Sequence, residues 1–219
     1  MSVLAAKRSE IELDSEMLSP FGPRIFSMTL PENIVKRIND LGDNQQNRRN
    51  MDGRLAGVIK DEPELTSEEM DSIGVKKIFM DIGQQYVHTI LSDKHHIDYN
   101  KDDFYINMKF VSGWIVNQKE NEYNPVHAHS NCSISSVLYL KVPEFKPRGY
   151  TGKKNIDGYI EFINSTVDSS MLSAGNFLVK PKVGQLLMFP STLLHTVYPF
   201  QGSGERRSLA FNLNYKLAD

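Results

Sequence analysis

In the first half of the chain, apolar residues recur with the spacing of α-helices. The stretch "PENIVKRINDLG" puts Ile34, Ile38 and Leu41 on one helical face, with Pro31 at the first turn and Gly42 as the expected stop. The preceding "FGPRIFSMTLP" predicts a short strand that ends at Pro31. We therefore expect a strand followed directly by an amphipathic helix.

A second helical pattern begins near Thr66, which forms a capping-box pattern with Glu69. We expect one continuous helix from Thr66 to about Ser92, because a single apolar stripe runs through Ile73, Ile78, Phe79, Ile82, Tyr86 and Ile90.

The second half changes to short β-rich runs separated by turn residues. In order, these runs are "DFYINMKFVSGWIVNQ", "SISSVLYLKVP", "GYIEFIN", "GQLLMFPS", "LHTVYPF" and "RSLAFNLNY". Several such strands predict an antiparallel sandwich or barrel, and helices followed by strands predict an α+β, mainly β fold. No linker-like segment divides the chain, so we expect a single domain over residues 1–219 with a helical support region at 1–100.

Composition excludes several classes of protein. The 219 residues are 40% hydrophobic and 24% charged, as in ordinary globular proteins, and the net charge of −2 provides no general nucleic-acid-binding surface. No apolar run reaches membrane-spanning length, and the start, "MSVLAAKRSEIELD", turns acidic too early for a signal peptide. Cys132 is the single cysteine and cannot form an internal disulfide, so we expect a cytoplasmic protein.

The stretch "NPVHAHSNCS" carries His127 and His129 with one residue between them. If it is extended, both imidazoles point to the same side, and His195 in "FPSTLLHTVYPF" can join them from another strand. Three convergent histidines with open positions are typical of a catalytic metal site. The alternative is that two are loop histidines and the third is a half-buried one.

The stretch "GSGERRSLAFN" predicts a strand with a polar inner face. Arg206, Ser208, Ala210 and Asn212 share one face, whereas Leu209, Phe211 and Leu213 share the other. A guanidinium beside small polar residues is suited to two-point binding of a carboxylate. The alternative is a surface arginine pair at the start of a strand, and Arg207 competes with Arg206 for the role.

The order of "HAH", "GQLLMFPSTLLHTVYP" and "GERRSLAFN" resembles the non-haem iron, 2-oxoglutarate-dependent oxygenase superfamily, in particular a prolyl-hydroxylase-like group from marine bacteria and phages. The resemblance implies a double-stranded β-helix (jelly-roll, cupin-like) core over residues 104–217. It implies Fe(II) held by His127, His129 and His195, and 2-oxoglutarate held by Arg206 with Ser208 and Tyr139.

The implied reaction is hydroxylation of an unidentified small-molecule or protein substrate, such as a peptidyl prolyl residue. O2 is the co-substrate, and succinate and CO2 are the co-products. The cytoplasm, of a host cell for a phage protein, is the implied location, and homodimerisation is compatible with the chain's size.

One position departs from the superfamily, which usually has a carboxylate where this sequence has His129. A three-histidine site carries no charge of its own, so zinc, nickel or copper can compete with iron. Alternatively, His129 lies behind the ligands and a water takes its place.

Two other hypotheses stay open from the sequence. The chain could be a three-histidine, cupin-type dioxygenase that does not use 2-oxoglutarate, or a non-catalytic jelly-roll binding module. The arginine at the start of the last strand favours the 2-oxoglutarate-dependent hydroxylase over the three-histidine dioxygenase that does not use 2-oxoglutarate. The three histidines favour both of these enzymes over the binding module. Trp114 is weighed as a residue of the substrate mouth against a core or rim aromatic.

Overall fold

The structure is a computed structural model that describes residues 6–7, 12–13, 15–18, 22–44, 49–51, 55–95, 105–146, 155–165 and 175–218. Its helices are α1 (Glu32–Asp43), α2 (Ser67–Ser72) and α3 (Lys76–His95). Its strands are β1 (Ala6–Lys7), β2 (Glu12–Leu13), β3 (Ser15–Leu18), β4 (Ile25–Thr29), β5 (Tyr105–Gln118), β6 (Asn124–His127), β7 (Ile134–Lys141), β8 (Ile160–Ile163), β9 (Asn176–Val179), β10 (Gln185–Pro190), β11 (Leu194–Val197) and β12 (Arg206–Ala218).

Two antiparallel sheets form the body of the protein. The major sheet has the order β3-β4-β10-β7-β12-β5, the minor sheet has the order β6-β11-β8-β9, and β1 pairs with β2. The predicted α+β, mainly β jelly-roll fold is confirmed. The crossovers in the strand order mean that neighbours in space are distant in sequence, so each sheet gathers side chains from several segments.

The helices cover the outer face of the major sheet. Phe79 of α3 stacks on Phe211 of β12 with ring centroids 4.5 Å apart, inside an apolar cluster that also includes Ile34 and Ile38 of α1. A second cluster, with Tyr139, Phe162 and Phe189, fills the space between the two sheets. Layers of helix, sheet and sheet therefore enclose two cores, and Leu209, Phe211 and Leu213 of β12 lie in the first of them.

The predicted helices are confirmed with two corrections. The first helix begins after Pro31, but it continues past Gly42 to Asp43. The predicted single helix from Thr66 is two helices: the Thr66–Glu69 capping box starts α2, and the chain then turns before α3. Gly74 causes the turn, since its φ of 68° is a left-handed conformation that ends a helix.

The N-terminal part of the chain also contributes to the β core. Strand β4, predicted from "FGPRIFSMTLP", pairs with β10, and β3 pairs with β4 at the edge of the major sheet. The proposed division into a support region at 1–100 and a core at 104–217 stays a prediction. Strands from both parts share the major sheet. No helix in the described ranges is long and apolar enough to cross a membrane.

Candidate active site

Three histidines converge between the two sheets. His127 ends β6 and is the register partner of His195 in β11, while His129 follows two residues after the end of β6. The ring centroids lie 4.2 Å apart for His127 and His195, and 5.3 and 5.2 Å from His129 to these two rings. One nitrogen from each ring lies within 4.8 Å of the other two. The predicted grouping therefore forms, although His129 reaches it from a loop rather than from the strand.

Backbone carbonyls orient two of the imidazoles. The Nδ1 atom of His127 is 2.7 Å from the Pro125 carbonyl oxygen, and the Nδ1 atom of His195 is 2.9 Å from that of Leu193. An Nδ1–H group that donates to such a carbonyl leaves Nε2 with a free lone pair, which is the usual second contact of a metal-binding histidine. The backbone N–H of His129 donates to the Ser191 carbonyl at 2.9 Å and fixes its loop.

Burial keeps the cluster neutral. Desolvation, together with the neighbouring His127, lowers the pKa of His129 to about 4 and that of His195 to about 3. Desolvation also lowers the pKa of His127, and the Pro125 carbonyl opposes that shift. Because a neutral imidazole is the form that binds a metal, the three rings are in their ligating state at neutral pH.

Aromatic rings enclose the cluster. Trp114 of β5 is buried and stacks on His129 with centroids 6.0 Å apart, and Phe189 of β10 meets His195 edge-on at 4.9 Å. Trp114 lines the pocket and belongs at the same time to a small apolar cluster with Ile59 and Val116. The core or rim position expected for Trp114 is therefore observed, and its place at the substrate mouth stays a prediction.

Arg206 enters the pocket between the sheets from the first position of β12. Its side chain is 1% exposed, and its Nε donates to the Gly158 carbonyl at 3.0 Å. The guanidinium carbon lies 4.9 Å from the centroid of the Tyr139 ring. The Nη2 atom of Arg206 and the hydroxyl of Tyr139 are buried and have no hydrogen-bond partner among the described residues. Burial lowers the pKa of Arg206 and raises that of Tyr139, and the interaction between these two neighbouring groups opposes both shifts.

Arg207 points to the opposite face of β12 and is engaged in ion pairs. Its Nε donates to the Asn117 side-chain oxygen at 2.8 Å and lies 2.9 Å from a Glu205 carboxylate oxygen. Its Nη1 lies 2.6 Å from an Asp43 carboxylate oxygen, which holds the pKa of Asp43 below its usual value. The two adjacent arginines thus have different surroundings, and Arg206 is the one that lines the pocket.

A cavity of about 350 Å³ connects the histidines with Arg206. The predicted inner face of β12 is confirmed, since the cavity is lined by Arg206, Ser208, Ala210 and Asn212. Another wall comes from the N-terminal part of the chain through Met51, Leu55, Ala56 and Glu62. None of these four residues was singled out from the sequence, because they show no strand or helix periodicity. This part of the chain runs along β5, where the backbone of Leu65 bonds to Gly113 and that of Ile115 to Pro63.

The sequence over residues 112–212 matches the model of a family described as putative 2OG-Fe(II) oxygenases. This segment contains the three histidines, Arg206 and Asn212. The match covers a little under half of the chain and supports its likeness to the 2OG-Fe(II) oxygenases. The family is named for Fe(II) and 2-oxoglutarate, so these are the metal and the co-substrate to compare with the site.

Solved structures with the same fold share little sequence with this chain. A prolyl-4-hydroxylase from Pseudomonas putida aligns with a TM-score of 0.51 and 16% identity, over 87% of this chain and 92% of that one. HygX from Streptomyces hygroscopicus in its apo form gives a TM-score of 0.51 and 9% identity, over 87% and 81% of the two chains. A search of curated proteins gives no match. At these identities the likeness concerns the fold.

The residues of the site fit Fe(II) and 2-oxoglutarate, the two groups for which the matching family is named. Three neutral imidazoles with His–metal bonds of about 2.0–2.1 Å can meet at one ion after small movements of the rings. The unpartnered Nη2 of Arg206 and hydroxyl of Tyr139 are buried donors that a carboxylate would satisfy. Ser208 is the register partner of Tyr139 and brings a third polar group to the same place.

Proposed function

We propose that this chain is a 2-oxoglutarate-dependent hydroxylase in which His127, His129 and His195 bind Fe(II). In the same proposal Arg206, with Tyr139 and Ser208, binds the distal carboxylate of 2-oxoglutarate. The observation that carries the proposal is the buried guanidinium of Arg206, which reaches the cavity of the three histidines with an unpartnered Nη2. A buried cation with an unsatisfied donor is costly unless an anionic ligand completes it.

Each part of the chain has a separate task in this proposal. Fe(II) with 2-oxoglutarate, when bound, activates O2 and supplies the oxidant that hydroxylates the substrate and yields succinate and CO2. The backbone carbonyls of Pro125 and Leu193 fix two imidazoles, and the Gly158 carbonyl fixes the guanidinium. The aromatic rings of Trp114 and Phe189 keep water away from the histidines.

The substrate that we propose to test first is a protein side chain, such as a peptidyl prolyl residue. Its support is limited to the fold shared with the Pseudomonas putida prolyl-4-hydroxylase. The three-histidine dioxygenase that does not use 2-oxoglutarate is disfavoured by Arg206, since that reaction leaves the buried guanidinium without a ligand.

Anaerobic titration of metal-free protein with Fe(II), and then with 2-oxoglutarate, tests the proposal. A visible charge-transfer band of the chelated keto acid should develop in the wild type. His195→Ala should abolish the band, whereas His88→Ala should retain it, because His88 lies on α3 outside the cavity. Iron binding without the band would favour the dioxygenase without 2-oxoglutarate, and failure to bind metal would refute both enzymes.

A further inference from the structure

The pocket side of the major sheet is organised in rows. Strands β5, β12 and β7 lie side by side, so residues that are register partners form a line across the sheet. Three consecutive rows, each written from β5 through β12 to β7, are Val116–Ser208–Tyr139, Trp114–Ala210–Val137 and Ser112–Asn212–Ser135.

The third row, which we name the polar row, is joined by side-chain hydrogen bonds. The hydroxyl of Ser135 donates to the Asn212 side-chain oxygen at 3.0 Å, and the Asn212 Nδ2 donates to the Ser112 hydroxyl at 3.2 Å. Asn212 is 7% exposed and Ser135 is 1% exposed. These bonds fix the amide and leave it one N–H and one lone pair, while Ser112 keeps its own O–H to donate. The row thus offers both donors and acceptors and carries no charge.

The polar row lies next to the three histidines. Phe189 of β10 is the register partner of Ser135 and contacts the ring of His195. Trp114, from the adjacent row, stacks on His129. Asn212 and Ser112 line the same cavity as the histidines. A group bound at the polar row therefore lies beside the proposed metal.

The co-substrate is too short to occupy this position. The guanidinium of Arg206 lies over Tyr139, at the level of the Ser208 row. The carboxyl carbons of 2-oxoglutarate are about 5 Å apart, as C–C bonds of about 1.5 Å allow, and successive rows are about 7 Å apart along the strand. A molecule held by Arg206 thus reaches the Ala210 row next to His129. The polar row lies one row farther, about 14 Å from Ser208 along β12.

We infer that the polar row binds the primary substrate, through an uncharged group that both donates and accepts hydrogen bonds, such as a carboxamide or a backbone amide. Asn212 is the specificity-determining residue of this subsite. A carboxylate or an ammonium group would lose hydration there without meeting an opposite charge in the row. This inference rests on the proposed function, since it places Fe(II) and 2-oxoglutarate in the remainder of the cavity.

N-Acetylglycinamide is a suitable probe, with acetate and methylammonium as its charged counterparts. With Mn(II) in place of Fe(II) and saturating 2-oxoglutarate, the paramagnetic broadening of the probe's methyl NMR signal reports binding close to the metal. We expect broadening for the amide and much less for the two ions. Asn212→Ala and Ser112→Ala should each weaken binding of the amide by about 2- to 10-fold, as expected for an uncharged hydrogen bond. Asn107→Ala is the matched control, because Asn107 is an exposed strand asparagine outside the pocket.

The charge-transfer band separates this inference from the proposed function. If wild-type protein never forms the band, the proposed function fails, whatever the probe does. The inference is wrong if the band forms but the methyl signal of the amide probe is not broadened. It is also wrong if that signal is broadened equally with the Asn212→Ala variant and with the wild type. A large loss of 2-oxoglutarate affinity in Asn212→Ala would assign Asn212 to the co-substrate and would also overturn the inference.

Discussion

Substituting the adjacent arginines one at a time provides a stringent test of the site. Both side chains are buried, at 1% exposure for Arg206 and 5% for Arg207, and both would be changed to glutamine. The first lines the cavity with an unpartnered Nη2, whereas the second contacts Asp43 and Glu205. We therefore expect Arg206→Gln to impair ligand binding and Arg207→Gln to impair stability.

For Arg206, the expected loss is in 2-oxoglutarate affinity. A hydrogen bond to a charged group contributes about 1.5–3 kcal/mol, and each 1.4 kcal/mol is tenfold in affinity. Loss of the guanidinium should thus raise the Kd for 2-oxoglutarate by about 10- to 150-fold. The ligand-free protein should lose little stability, because the substitution removes a buried cation that is incompletely hydrogen-bonded.

For Arg207, the expected loss is in the free energy of unfolding. Its carboxylate partners are partly exposed, at 56% for Asp43 and 19% for Glu205, so the cost falls below the about 3–5 kcal/mol of a fully buried pair. We expect about 1.5–3 kcal/mol, which lowers the Tm by about 3–12 °C for a chain of this length.

Two measurements on each variant complete the test. Urea unfolding of the ligand-free protein gives the stability, and anaerobic titration of the charge-transfer band gives the Kd for 2-oxoglutarate. Arg37→Gln is a control, since its guanidinium bonds to the Ile73 carbonyl outside the cavity. If Arg207→Gln weakened 2-oxoglutarate binding more than Arg206→Gln, the assignment of the clamp would be refuted.

Three further predictions follow from single features of the site and fold. Tyr139→Phe removes a buried, unpartnered hydroxyl, so the ligand-free protein should unfold at equal or higher urea concentration while 2-oxoglutarate affinity falls by about 2- to 10-fold. Gly74→Ala should cost about 1–2 kcal/mol in urea unfolding, because φ is 68° there, whereas Gly22→Ala, which has open space around it, should cost less. Metal-free protein should lose stability as the pH falls from about 6.5 towards 4, because the unfolded histidines take up protons while the buried His129 and His195, with pKa values of about 4 and 3, do not. A metal-free His195→Gln variant should lose less stability between pH 7.5 and 5 than wild type, and an equal loss would contradict the explanation.

Much of the fold was predictable because its elements obey local rules. The apolar spacing around Ile34 and the Thr66–Glu69 capping box located helix starts, and alternation located most strands of the core. The break between α2 and α3 was missed, since apolar residues occur on both sides of Gly74 and concealed the turn at that glycine. Strands β3 and β9, each of four residues, were also missed.

The site was predictable where chemistry and spacing coincide. His127, His129 and His195 were grouped from residue type, and the parity of β12 located Arg206, Ser208 and Asn212 on one face. The sequence favoured Arg206 with Arg207 as its competitor, and the different surroundings of the two became visible only in the structure, because the ion pairs of Arg207 come from α1 and Glu205. The polar row required it as well, since a row across three strands depends on register, which the sequence of any one strand does not reveal.

Side chains on β12 alternate between the cavity and the apolar core, so one strand contributes residues both to the proposed binding site and to the stability of the fold. Its even-numbered residues from Arg206 to Asn212 line the cavity, whereas Leu209, Phe211 and Leu213 lie in the apolar cluster beneath the helices, and Arg207 joins the strand to α1. A one-residue shift of β12 would exchange the two sets and bury Arg206 under the helices. The paired ladders with β5 and β7 oppose such a shift over most of the strand's length. The proposed affinity for a carboxylate therefore depends on the same register that holds Phe211 against Phe79, so the outer core would position the site without contacting a ligand.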